Sequence, residues 1–142
     1  MKNLLLAFSF VVLLNSCNTD DKKPAASSYE GKWNLTRMSS SSFSSDIKTG
    51  DAMDWQEFYI LNNNGTFTKS RQQDGELTTI EGNYIVSYAA DYNVITLTYT
   101  SENAIIGSCI PLSEQLLVMS NNLLKSAWQA CDGPILEYEK VN

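Results

Sequence analysis

Sixteen carboxylates and no histidine define what chemistry this chain can do. Two carboxylates can run glycoside hydrolysis when a fold holds them roughly 5–9.5 Å apart across a bond. Glu57, Glu76, Glu81 and Glu102 fall on different strands or turns, and no spacing pairs two of them. Each reads as a solvated face residue. The absence of histidine removes Ser-His-Asp and Cys-His catalysis and the usual histidine-based zinc and copper sites. No glycine-rich segment opens a helix to cradle phosphate. Asn62-Asn63-Asn64-Gly65 carries oxygen donors, but reads as a turn rather than a calcium loop. No catalytic residue, metal or cofactor is expected.

The cysteines carry the clearest chemistry. Cys17 closes the run Leu14-Asn15-Ser16-Cys17, directly after the apolar stretch Leu4 to Leu14, with Lys2 ahead of it. A helix needs about 20 apolar residues to span a bilayer, so this stretch reads as a signal-peptide core. Small Ser16 suits a peptidase cut before Cys17, and the arrangement resembles a bacterial lipoprotein signal; the other reading is an ordinary secretory signal with an incidental Cys. Residues 1–16 are then removed, and Cys17 carries the lipid. Stable anchoring takes two or more membrane-binding groups, and a diacylglycerol with an N-acyl chain resembles that case. Asn18 to Ser28 (NTDDKKPAASS) is polar and lacks apolar periodicity, so 17–28 reads as lipidated Cys and flexible linker. Asp20-Asp21 resembles the acidic tract of surface-exported lipoproteins. These readings place the protein in the cell envelope, lipid-anchored at the outer membrane, on its surface or its periplasmic face. There disulfides persist. Cys109 and Cys131 are expected to pair, the alternative being two buried free thiols.

Tyr29 to Asn142 leaves one domain with room for a single core. After loss of Lys2, nine basic residues face sixteen acidic ones. This balance argues against nucleic acid, which wants a basic footprint, and against electrostatic docking on anionic lipid. The domain pattern is β throughout. Strands are expected over Trp33–Met38, Trp55–Asn62, Thr66–Arg71, Leu77–Ile80, Asn83–Tyr88, Val94–Thr100, Ala104–Leu112, Gln115–Ser120 and Ile135–Val141. Leu123–Ala130 fits a strand better than a short helix. Asn64-Gly65 is a hairpin signal because both residues tolerate positive φ, and Gly82 marks a bulge or bend. Short strands with turns every 8–12 residues indicate a sandwich or an up-and-down barrel. Consecutive hairpins favour the second: all-β, one antiparallel up-and-down barrel of about eight strands.

Gly31-Lys32-Trp33-Asn34-Leu35 resembles the G-x-W opening of lipocalins, and YILNNNGTFT, Gly82-Asn83-Tyr84 and VITLTYT resemble the lipocalin-like domain of Bacteroidetes lipoproteins. The resemblance covers about residues 29–142. It implies that Trp33 closes the barrel floor under a basic residue of the last strand, where this chain offers Lys140. It also makes Ser39 to Asp54 the loop over the barrel mouth. Phe43, Ile47 and Met53 could fold that loop down as a lid; the other reading is a solvated insertion.

Alternation points Trp33, Leu35, Tyr59, Leu61, Phe67, Tyr84, Val86, Ile95, Leu97 and Tyr99 inward. Of these, Trp33, Tyr59, Leu61, Phe67, Tyr84, Leu97 and Tyr99 are the candidate ligand-lining residues. An eight-stranded barrel either fills with its own side chains or holds one small ligand. Two functions follow from the two cases. One is a membrane-anchored binding protein for a small apolar ligand; the other is a filled barrel contacting an envelope protein partner.

Overall fold

The computed structural model describes residues 29–40, 46–88 and 91–142. Cys17, the export segment, the linker and Phe43 lie outside them. The strands are β1 (Gly31–Ser39), β2 (Ile47–Thr49), β3 (Gln56–Leu61), β4 (Thr66–Gln73), β5 (Glu76–Tyr88), β6 (Asn93–Tyr99), β7 (Ser113–Ser120), β8 (Leu123–Ser126) and β9 (Ile135–Lys140). β1 and β3 to β9 pair antiparallel in chain order, and β1 pairs with β9 to close the barrel. The expected eight-stranded up-and-down barrel is therefore the fold. β2 is a short addition on the outer part of β1, with Met38 opposite Lys48.

Closure follows from period-two patterning. Along β3, Glu57, Tyr59 and Leu61 face in, while Gln56 and Ile60 stay exposed. Along β6, Ile95, Leu97 and Tyr99 are buried. Closing the sheet leaves β1 and β9 with partners on both sides, which removes the unpaired edge that an open sheet would expose. A bulge between Leu35 and Arg37 shifts the β1–β9 register and adds the local twist that closure requires.

Several sequence expectations change. Leu77–Ile80 and Asn83–Tyr88 belong to one strand, β5, that runs through Gly82. A side chain at Gly82 would strike the Thr98 carbonyl and the Phe67 ring, so the glycine permits close approach rather than ending a strand. Ala104–Leu112 is not a strand but part of the long β6–β7 connection. Leu123–Ala130 splits into β8 and a 3-10 turn over Trp128–Cys131. At the β3–β4 turn only Gly65 has positive φ. Asn64 instead accepts hydrogen bonds from the Thr66 amide (3.1 Å) and hydroxyl (2.7 Å).

The two ends of the barrel differ. One, the hairpin end, carries the Asn62–Gly65 turn, the β5–β6 and β7–β8 turns, and the entry of the chain at Tyr29. There Trp33 is fully buried, its Nε1 donates to the Tyr29 carbonyl at 2.8 Å, and the Lys140 ammonium lies 5.6 Å from its ring centroid. The other, the loop end, carries the Asp74–Gly75 turn, residues 46–55, and the connections 100–112 and 127–134. The Cys109–Cys131 disulfide ties the last two together, with Cα atoms 5.8 Å apart.

Candidate functional site

The barrel axis is occupied by ions. Glu57 and Tyr59 on β3 stand opposite Arg71 and Lys69 on β4, so β4 alone sends two cations into the interior. Glu114 comes from β7, opposite Leu97 of β6. The Lys69 ammonium bridges both carboxylates, at 2.7 Å from Glu114 Oε1 and 3.3 Å from Glu57 Oε1. Arg71 Nε donates to Glu57 Oε2 at 2.6 Å. All four residues are buried. Glu57 corrects the expectation of a solvated face residue: the alternation of β3 puts it on the inner face. Glu76, Glu81 and Glu102 are exposed.

Three tyrosines complete the cluster. Tyr59 donates to Glu114 Oε2 at 2.7 Å, and the Tyr99 hydroxyl donates to the same oxygen. Tyr138 of β9 donates to Glu57 Oε1 at 2.6 Å. Lone pairs left unmet inside a protein are costly, and both carboxylates accept at each oxygen. Two positive and two negative charges also cancel, which buried charges require.

The electrostatic consequences are directional. Burial alone would push the Glu114 carboxyl up, but the Lys69 charge and hydrogen bonds from Lys69, Tyr99 and Tyr59 outweigh it and hold the group below the usual carboxylate range. Burial, and next the negative charge of Glu114, push the Tyr59 and Tyr99 phenols far above their ordinary range. Burial and the Glu57 charge do the same to Tyr138.

The β6–β7 connection caps this cluster from the loop end. The Gly107 amide donates to Glu114 Oε1, and the Ile105 carbonyl accepts from Arg71 at 3.2 Å. Ile105 is buried. The disulfide secures the cap to the 127–134 connection, where Trp128 packs against both Gly107 and Gly133 so closely that a Cβ at either would meet its ring.

A cleft of about 470 Å³ lies outside this cap at the loop end. Met38, Trp55, Trp128 and Pro134 form its apolar lining, and Lys48 and Asp54 pair across 2.5 Å at its edge. Trp55 and Trp128 have ring centroids 6.5 Å apart, and the Arg71 guanidinium sits 4.2 Å from the Trp55 ring. Trp55 Nε1 is buried without an acceptor among the described residues.

Of the candidate lining residues, Trp33, Leu61, Phe67 and Leu97 pack in the core, and Tyr59 and Tyr99 bind the ion cluster. Phe67 also borders a shallow depression between β4 and β5. Tyr84 is half-buried near the hairpin end, donating to the Asn62 carbonyl at 2.8 Å. None of the seven borders the loop-end cleft. Sequence reasoning missed Lys69, Arg71, Glu114 and Tyr138 as interior residues. The signal was parity: Lys69 and Arg71 share the face of Phe67, and Glu114 shares that of Leu116.

Fold and interior together define a closed antiparallel barrel with an ion-filled, capped axis. In comparison with known proteins, no family model, no curated protein and no solved structure matches the chain.

Proposed function

We propose that this protein is a lipid-anchored lipoprotein of the bacterial cell envelope, held at the outer membrane through Cys17, whose lipocalin-like barrel is a filled interaction module for an envelope protein partner. The ion cluster of Glu57, Lys69, Arg71 and Glu114 is the observation that supports this reading most. A lumenal ligand would have to displace groups that already satisfy one another, and each carboxylate left without its cation would sit unpaired in a dry interior. The disulfide-tied loop end offers the partner its surface. Native mass spectrometry of the mature protein in mild detergent tests it. The expected mass is polypeptide plus acyl chains; a further stoichiometric small molecule, retained when Trp128 is replaced, would place a ligand in the barrel and overturn the filled reading. Cys17→Ser should lack the acyl mass and leave the membrane fraction.

One observation favours a second reading, a small apolar ligand held outside the barrel. The loop-end cleft has a volume of about 470 Å³ and an apolar wall of Met38, Trp55, Trp128 and Pro134, a size common among small-molecule sites. Saturable quenching of indole fluorescence by an apolar probe, abolished by Trp128→Ala, is the expected result.

A further inference from the structure

The hairpin end carries large apolar side chains that the core leaves outside. Tyr88 and Tyr92 flank the β5–β6 turn, Met119 stands by the β7–β8 turn, and Val141 follows β9; each is between 46% and 56% exposed. They belong to one stretch of the rim. Tyr88 pairs with Asn93 and Asn93 with Val118, which places Tyr92 beside Met119. The Val141 amide donates to the Lys32 carbonyl at 2.8 Å and the Lys140 amide to that of Asn122, bringing Val141 next to the β7–β8 turn.

The chain enters the barrel at the same place. The Tyr29 hydroxyl accepts from Asn93 Nδ2 at 3.0 Å, and the Tyr29 carbonyl accepts from Trp33. Twelve residues run from Cys17 to Ser28, and a flexible linker of that length, the reading their composition supports, spans about 20 Å. An anchor on Cys17 would therefore keep this rim, rather than the loop end, close to the bilayer.

We propose that the Tyr88–Tyr92–Met119–Val141 rim is a membrane-docking surface that seats the barrel, hairpin end down, on the headgroup layer of the bilayer that holds its anchor. The proposal rests on the anchor reading and adds an orientation to it. Tyrosines suit this layer because one end of the ring is apolar and the other wet. The patch can be small, since a short tether turns docking into an intramolecular step at an effective concentration in the millimolar range. Exposed Asp91 and Glu139 share this end with Lys32 and Lys140, so the fit is to zwitterionic rather than anionic headgroups. Seated this way, the capped loop end with its cleft points away from the membrane.

Methionine supplies the probes. Past the signal segment the chain has three: Met119 at the rim, and Met38 and Met53 at the loop end. The full mature lipoprotein, 13C-labelled at the methionine methyls, is inserted into phosphatidylcholine nanodiscs carrying a doxyl spin label. Docking predicts severalfold stronger broadening of the Met119 methyl than of Met38 and Met53. It also predicts that Tyr88→Ser with Tyr92→Ser reduces this broadening severalfold while the nanodisc-bound fraction stays unchanged. Three methyls equally sharp on bound protein would show a barrel hanging free and overturn docking with the anchor intact. Three methyls equally broadened would overturn the orientation. Protein that never co-elutes with nanodiscs would overturn the anchor reading itself.

Discussion

The two ends of the barrel are built from opposite materials. At the hairpin end a tryptophan, Trp33, fills the interior and one ammonium, Lys140, lies against its face. Toward the loop end, the same width of barrel is filled by four charges and three phenols under a disulfide-tied cap. An apolar plug tolerates small errors in position, because dispersion contacts are many and individually weak. An ionic plug does not, because each group left unmatched carries a desolvation cost of several kcal/mol. The hairpin end therefore holds with no cross-link among the described residues, whereas the loop end uses a disulfide to hold Gly107 and Ile105 against Glu114 and Arg71. The difference is a claim about where the fold is brittle.

The largest test of that claim is Lys69→Met. It removes the one cation shared by both carboxylates and leaves Glu114 with hydrogen-bond donors but no countercharge. A loss of about 3–5 kcal/mol in urea unfolding is expected. Protonation of the stranded Glu114 should return part of that loss as the pH falls toward 5. The double variant Lys69→Met with Glu114→Gln should be less destabilised than the sum of the two single changes. A loss below 1 kcal/mol would mean that water reaches the cluster and that the axis is not dry.

Tyr59, Tyr99 and Tyr138 extend the test to alkaline pH. Their folded-state phenol pKa values are raised, so the unfolded chain gives up these protons first, near the ordinary tyrosine value of about 10. Stability is fully present below that pH and is lost above it. Three protons correspond to a slope of about 4 kcal/mol per pH unit beyond 10. Phenolate absorbance should show these three groups ionising only together with unfolding. Early, reversible titration of all three in the folded protein would contradict the capped, dry axis.

Cutting the cap loose is expected to cost less. Cys109 and Cys131 are 22 residues apart, and opening a loop of that size is worth about 3 kcal/mol in the chain-entropy model. Replacing both by serine should lower stability by that amount. It should also raise hydrogen exchange at the Gly107 amide well above that of amides around Trp33. Equal exchange at the two ends would erase the contrast between them.

The contrast also explains what was legible in the sequence. Alternation in WQEFYILN and VITLTYT marks the strands and the turns order them; the resemblance implied a Trp33 floor, and the structure adds that Lys140 lies over it. The ion cluster was hidden for a physical reason. A charge at an inward-parity position is ordinarily reassigned to solvent because burial alone is prohibitive, and what makes it permissible is a partner far along the chain. Lys69 and Glu114 are 45 residues apart, so nothing local to either reports the other. The cap misled for a related reason. Ala104–Leu112 is as apolar as a strand, but the Ile105 carbonyl and the Gly107 amide bond side chains on the axis, Arg71 and Glu114, and it is Leu112 at its end that bonds a neighbouring strand, accepting from the Tyr99 amide.

Lys140→Met is the smallest and sharpest test, because it repeats the first one at the other end. Both changes delete a lysine charge from inside or beside the barrel. Lys69 meets two carboxylates in a buried site, whereas Lys140 is half-buried and rests 5.6 Å from the Trp33 ring centroid. A cation over an aromatic face near solvent is worth about 0.5–1 kcal/mol, and methionine keeps most of the aliphatic contact that the lysine stem makes. The loss expected from that ring contact is therefore under about 1 kcal/mol. If Lys140→Met cost as much as Lys69→Met, brittleness would belong to the whole barrel rather than to its ionic half.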